Sequence, residues 1–219
     1  MAQLLIFDLD GTLFHTAPGL LTAVNRLFAR RGLPPIPMEK LVTYIGGGIM
    51  SMIEDLERDT LGKLGDLQAV ESEFLTIYDE TYLEGSEPYE GLLDFLNSWT
   101  GKIAILSNKK EKYVKSLVEN TVLNQYQWVA CYGGDSFPTK KPDPQGLENI
   151  ISLAKISREH ALLIGDGLPD MLVAKNAGIK SLAVSFGYAP IELLNEVGHH
   201  GQLNHFNDLS TTIEKLFSI

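Results

Sequence analysis

Two aspartates two residues apart, Asp8 and Asp10, follow the apolar run Leu4-Leu5-Ile6-Phe7. In extended backbone, side chains at i and i+2 point the same way, so the pair can share one site. Such a pair suits a hard divalent cation, and it equally suits a nucleophile working beside an acid. Gly11 would let the chain turn sharply; the plain alternative is an Asx-type turn closing a strand. Three further groups have similar promise. Ser107-Asn108 end the run Ile103-Ala104-Ile105-Leu106. A hydroxyl and the amides of a following turn can donate to a phosphate oxygen, or the pair can cap a helix. In Lys140-Lys141-Pro142-Asp143-Pro144 the prolines stiffen the backbone and give the preceding lysine a defined direction, where a solvated basic turn is the alternative. Asp166 ends the run Leu162-Leu163-Ile164-Gly165, and Asp170 lies one helical turn further on. Both can face one site if a helix starts between them, although a helix N-terminus favours acids in any case.

These groups need elements to hold them. Short apolar runs bounded by turn residues recur at Leu4–Phe7, Lys102–Leu106, Trp128–Tyr132, Leu162–Ile164 and Ser181–Ser185. Each reads as a strand buried on both faces. Helical spacing appears between them, over Pro88–Trp99, Glu111–Val118, Pro144–Ala154 and Met171–Ala177, the last stopped by Gly178. Alternating strands and helices predict parallel βαβ units in an open α/β sheet. From about His15 to Glu84 the pattern is helical, with no convincing strand. Ala17–Arg31 and Asp66–Leu83 carry the clearest stripes. The expected architecture is a Rossmann-like parallel sheet core, residues 1–14 and 85–219, with a helical domain of residues 15–84 inserted after the first strand. All four groups then fall at the carboxyl ends of strands, the edge where open α/β sheets bind ligands. Asp, Asp, Ser, Lys and Asp converging there make one site for a divalent metal and a phosphoryl group.

Composition narrows the partners. In 219 residues, 28 acidic groups outweigh 18 basic ones, for a net charge of −10, which argues against a broadly basic nucleic-acid binder. The segment Gly101–Lys141 runs against this trend, with 7 basic and 3 acidic residues, and its charge bears on an anionic ligand. No apolar run approaches the length of a membrane helix, and nothing at the N-terminus resembles a signal peptide. Cys131 is the single cysteine, so no internal disulfide forms. The expectation is a cytoplasmic protein with no membrane and no nucleic-acid partner.

The four groups, in this order and spacing, resemble the motifs of the haloacid dehalogenase-like hydrolase superfamily. Asp8-Leu9-Asp10-Gly11-Thr12-Leu13 matches its first motif and Ser107-Asn108 its second. Lys141-Pro142-Asp143-Pro144 matches the third, and Gly165-Asp166 with Asp170 the fourth. The helical insertion is similar to the α-helical cap of the phosphoglycolate phosphatase-like group. Tyr44-Ile45-Gly46-Gly47-Gly48 and Tyr132-Gly133-Gly134-Asp135 add to that closer resemblance. The resemblance implies a phosphatase of small phosphorylated metabolites, monomeric or homodimeric. Asp8 is then the nucleophile, forming an aspartyl phosphate, and Asp10 the acid and base. Asp8, the backbone carbonyl of Asp10 and Asp166 are the implied Mg²⁺ ligands, with Asp170 behind them or acting through a water. Ser107 and Lys141 are the implied holders of the phosphoryl oxygens, with Thr12 and Asn108 beside them. Phosphomutase or pyrophosphatase activity on the same scaffold, or a non-catalytic phospho-ligand sensor, are the alternatives. Dehalogenation is disfavoured, because Asp10 has no obvious use in it.

Other residues carry two readings each. Gly46-Gly47-Gly48 presents amides to a substrate or simply turns between helices. Phe14-His15-Thr16 departs from the family's usual residues there, and His15 at the junction either tunes closure or is a tolerated polar substitution. His199, His200 and His205 are expected in an exposed loop. Lys109, Lys110, Lys112 and Lys115 are expected on a solvated helix face. Trp99, Trp128 and the stripe Val70/Phe74/Ile77/Tyr78 are expected to pack.

Overall fold

The computed structural model describes residues 2–217; Met1, Ser218 and Ile219, which fall within the expected core, lie outside the described residues. Its strands and helices run β1 (Leu4–Phe7), β2 (Phe14–His15), α1 (Ala17–Arg30), α2 (Met38–Leu41), α3 (Ile49–Asp59) and α4 (Leu67–Thr81). The chain continues with β3 (Glu87–Pro88), α5 (Leu92–Ser98), β4 (Lys102–Leu106), α6 (Glu111–Asn120), β5 (Trp128–Tyr132) and α7 (Gln145–Ala154). It ends with β6 (Ala161–Gly165), α8 (Leu168–Ala177), β7 (Lys180–Val184), α9 (Ile191–Val197), β8 (Gly201–Leu203) and α10 (Leu209–Phe217).

Six strands form one parallel sheet in the order β5-β4-β1-β6-β7-β8. β1 lies inside it, and Leu4, Leu5, Ile6 and Phe7 are fully buried. The two-residue period sorts its side chains between the faces. Leu5 and Phe7 join one core with Ile103, Ile105, Leu162 and Ile164, and Leu4 and Ile6 join the other with Ala104, Leu106 and Leu163. Burying each such large side chain contributes about 1.5–3 kcal/mol, so the central strands are the most strongly held part of the chain. The α/β expectation therefore holds, with two corrections. β5 is an edge strand, and its residues are only half-buried. The histidine segment contains β8, which pairs with β7 through Leu182↔Gly201 and Val184↔Leu203. A three-residue strand without alternation leaves no periodic signal to read.

α1 to α4 enclose a third core, built on Val24, Leu27, Phe28, Ile53, Phe74 and Tyr78. α1 buries Leu20, Ala23, Val24, Leu27 and Phe28 at i, i+3 and i+4 spacing. Asp66 caps α4 by accepting from the Ala69 amide at 2.9 Å. Gly19 lets these two helices touch: a Cβ there would lie 2.3 Å from the Thr81 carbonyl oxygen. The Thr81 hydroxyl donates to the Gly19 carbonyl at 2.9 Å. The chain enters and leaves this layer through β2 and β3, which pair antiparallel. His15 is thus in a strand, a correction to the strandless reading of this stretch, and the pairing of only two residues is too short to show in the sequence.

Candidate active site

Asp8, Ser107 and Asp166 each follow a central strand directly, so the sheet alone brings three motifs to one edge. The Asp8 amide still donates to Ile164 at 2.9 Å, and the Ser107 amide to Tyr132 at 3.0 Å, so both residues are held by the last rungs of the ladder. After Asp8 the chain curls: the amides of Thr12, Leu13 and Phe14 all point at the Leu9 carbonyl. Gly11 is required in this loop. Its φ is +83°, and a Cβ would lie 2.2 Å from Asp166 Oδ2.

Lys141 arrives from the loop after β5 and joins the carboxylates. Its ammonium donates to Asp8 Oδ1 at 2.7 Å, Asp170 Oδ1 at 2.6 Å and the Leu106 carbonyl at 2.8 Å. All three N–H groups are thereby used. Burial opposes this charge, but Asp170 and Asp8 outweigh burial and hold Lys141 above the ordinary lysine range. Asp170 also accepts from the Gly167 amide through Oδ2 at 2.9 Å, capping α8 and spending both its oxygens. Asp166 is gripped on each oxygen, by the Thr12 hydroxyl at 2.9 Å and the Tyr188 amide at 2.8 Å.

Asp8, Asp166 and Asp170 offer carboxylate oxygens that lie within 4.8 Å of one another, all buried. Burial pushes Asp8 up to about 6, against the pull of Lys141. Burial, with Asp8 and Asp170 alongside, pushes Asp166 well above the usual carboxylate range. One ammonium pairs with two of these three carboxylates, in a donor set made of oxygen alone. That surplus of buried negative charge fits a hard divalent cation, which would relieve it.

Asp10 lines the same cavity with different partners. The Thr16 hydroxyl donates to its Oδ1, and Lys109 Nζ lies 3.0 Å from Oδ1 and 3.3 Å from Oδ2. This corrects the expected solvated lysine face. Lys109 is 5% exposed and also donates to Tyr78 Oη of α4 at 2.6 Å. Burial works against its charge, and Asp10 and Tyr78 prevail, so it is held above the ordinary lysine value. Lys110 pairs with Glu71 and Lys112 with Asp79, both on α4, so this face meets the inserted helices while Lys112 stays exposed to water. Lys112 and Lys115 are exposed and match the expectation, Lys115 pairing with Glu111 on its own helix. Spacing along α6 could not show which acids would stand opposite.

Ser107 and Asn108 are buried beside Lys141. Asn108 donates to the Gly46 carbonyl at 2.9 Å and the Lys141 carbonyl at 3.2 Å, tying the two loops together. Lys140 likewise donates to the Gly47 carbonyl at 2.7 Å. Gly46-Gly47-Gly48 is therefore the turn into α3, docked on the core through its carbonyls, with Gly48 close against the Asn108 backbone.

Like Lys109, Tyr188 and Tyr78 join the site with no sequence signal for that role. Tyr188 joins both sides of the site: its amide holds Asp166, and its hydroxyl accepts from the Thr16 and Ala17 amides at 2.8 and 3.0 Å. His15 Nδ1 lies 3.3 Å from that hydroxyl. Tyr78 lies in the packing stripe, as expected, and its hydroxyl also reaches Lys109. Neither tyrosine stands in a pattern that spacing could mark. His199, His200 and His205 engage Asn195, the Ser181 amide and the Asn207 amide respectively. Among the described residues the only cluster of metal-ligand type is the aspartate trio. Trp99 and Trp128 pack against the core, as expected.

Comparison with known proteins agrees with this arrangement. A family model for haloacid dehalogenase-like hydrolases matches residues 5–184. Phosphoglycolate phosphatase 1 of Pseudomonas aeruginosa is 34% identical over 198 residues, spanning 86% of this chain and 71% of that protein. The phosphoglycolate phosphatase of Agrobacterium fabrum is 31% identical over 199 residues, spanning 89% and 85%. A predicted phosphoglycolate phosphatase from Haemophilus somnus superposes with a TM-score of 0.87 at 22% identity, over 97% of this chain and 98% of that one. A predicted phosphatase from Clostridium acetobutylicum gives 0.81 at 19% identity, over 98% and 99%. These two structural likenesses speak to the fold alone. Among the described residues no helix is long and apolar enough to cross a membrane.

Proposed function

The chain belongs to the haloacid dehalogenase-like hydrolase family and is a phosphatase, and from that premise we propose that it hydrolyses a small phosphate monoester of the phosphoglycolate kind with Mg²⁺, through an aspartyl phosphate on Asp8. The observation that supports this most is the pairing of two unlike carboxylates. Asp8 meets Lys141 and the other acids, and Asp10 meets Lys109 and Thr16. One residue is thus in position to attack while its neighbour handles the proton.

In this reading Asp8 attacks phosphorus through a carboxylate oxygen as the bond to the leaving oxygen breaks. Asp10 gives its proton to that oxygen, and the alcohol leaves. Water then attacks the aspartyl phosphate, Asp10 takes the proton, and free phosphate and the Asp8 carboxylate are restored. Lys141, fixed by three acceptors, keeps Asp8 aligned and places positive charge beside the phosphoryl oxygens. Ser107 adds a donor there. Asp8, the Asp10 carbonyl and Asp166 would hold Mg²⁺, with Asp170 supporting Lys141 from behind. When bound, the ion supplies charge stabilisation to the transferring phosphoryl group. The helices of residues 15–84 act as a cap that shuts water out, hinged at β2 and β3.

The test is phosphate release from phosphoglycolate, sugar phosphates, pyrophosphate, nucleotides and an aryl phosphate, with Mg²⁺ and with EDTA. The expected result is Mg²⁺-dependent release with phosphoglycolate preferred. Release that is untouched by EDTA, or a sugar phosphate isomerised without release, would overturn the reading.

A further inference from the structure

The cavity above Asp8 and Asp10 is walled on one side by the inserted helices. That wall presents Leu20, Tyr44, Ile45, Ile49, Met52 and Tyr78, and no charged group. Two cations line the cavity, Lys141 and Lys109. Lys141 has no donor to spare, since three acceptors at 2.6–2.8 Å use its three N–H groups. Lys109 is placed differently. It lies 3.0 and 3.3 Å from the two oxygens of the same carboxylate, so a single N–H can serve both, and a second serves Tyr78 Oη. Shared in this way, the contacts to Asp10 and Tyr78 leave one N–H of the buried ammonium for a ligand. It stands next to Asp10, the residue that must touch the leaving oxygen.

We propose that Lys109 is the specificity-determining residue of this phosphatase, taking the carboxylate of a leaving group in which that carboxylate is two bonds from the ester oxygen, as in phosphate esters of 2-hydroxy acids. This rests on the substrate reading given above and names the residue that performs it. Asp10 marks the position of the ester oxygen, and a carboxylate carbon two bonds away falls within reach of a cation already in contact with Asp10. The apolar wall offers such a group no other counter-charge. At a buried ammonium a charge-assisted bond is strong, and an ester without the carboxylate leaves the ammonium without that partner. Tyr78 anchors Lys109 from α4, so the receptor is complete only with the inserted helices in place.

The experiment compares kcat/KM for phosphoglycolate and for ethyl phosphate, which lacks only the carboxylate function, in wild type, Lys109→Met and Lys109→Gln with Mg²⁺. Glutamine keeps a donor toward Asp10 and Tyr78, so it serves if the methionine variant fails to fold. Wild type should prefer phosphoglycolate. Both esters should lose kcat in either variant, because Lys109 also touches Asp10, and phosphoglycolate should lose about 20-fold more in kcat/KM than ethyl phosphate, the excess lying in KM. An equal loss on both esters would mean that Lys109 acts only through Asp10, and the proposal would fail while the substrate reading stood. Discrimination retained in the variants would have the same meaning. A wild-type enzyme that does not distinguish the two esters would overturn the substrate reading itself.

Discussion

Asp8 is buried among like charges, and Lys141 offsets only part of the cost. Its proton is held up to about 6 against an ordinary value of 3.8, so between those limits the folded metal-free protein binds more protons than the unfolded chain. The stability that protonated Asp8 provides is present in acid and lost as pH rises through about 6. At pH 8 the metal-free wild type bears the whole penalty. Asp8→Asn removes the charge and keeps the shape, so the metal-free variant should be more stable there by about 1–3 kcal/mol, a few degrees in Tm. The difference should close toward pH 4. Added Mg²⁺ should raise Tm for wild type and not for the variant, and turnover by the variant should vanish. A variant less stable than wild type at pH 8 would mean that the Lys141 pair outweighs burial.

At the scale of elements, the junction between β2 and α1 depends on one side chain from a distant loop. Tyr188 Oη accepts from the first amides of α1, groups with no acceptor within the helix. Thr16, whose amide it holds, is also the residue whose hydroxyl fixes Asp10. Tyr188→Phe keeps the ring and the backbone bond to Asp166 but removes that acceptor. The expected loss is about 1–3 kcal/mol of stability, with kcat/KM down about tenfold. Metal affinity should be nearly unchanged, because Asp166 is held by the amide. A large drop in Mg²⁺ affinity by titration calorimetry would show instead that the hydroxyl supports the metal side.

For the whole molecule, the inserted helices form one wall of the cavity, so their position sets the room for a substrate. In the proposed reading substrate enters when those helices lift and is enclosed when they close. The contacts that resist include Lys110–Glu71 and Lys112–Asp79, both partly exposed and each worth about 0–1 kcal/mol after screening. Lys112→Glu turns one attraction into repulsion against Asp79. It should raise KM about two- to fivefold at about 50 mM salt with kcat little changed, and the effect should fade near 0.5 M as screening shortens to a few ångströms. A salt-independent change in KM would place the effect in packing rather than charge.

The central strands and the four motif ends were legible from residue order, because a buried strand writes an apolar run and a turn writes glycine and proline. Leu4–Phe7, Lys102–Leu106 and Trp128–Tyr132 coincide with observed strands, and Asp8, Ser107, Lys141 and Asp166 stand at one sheet edge. The helical insertion was legible too, since α1 and α4 carry stripes of the right period. Pairings between segments far apart in sequence were not. β8 and the β2–β3 pair are too short to leave a period. The burial of Lys109 depends on Asp10 and Tyr78, 99 and 31 residues away, and the role of Tyr188 on amides more than 170 residues upstream. Residue types and local spacing determine which chemistry is available. Which lysine stays in water and which becomes part of the site is decided when packing removes the solvent and leaves each charge with only the partners the fold brings to it.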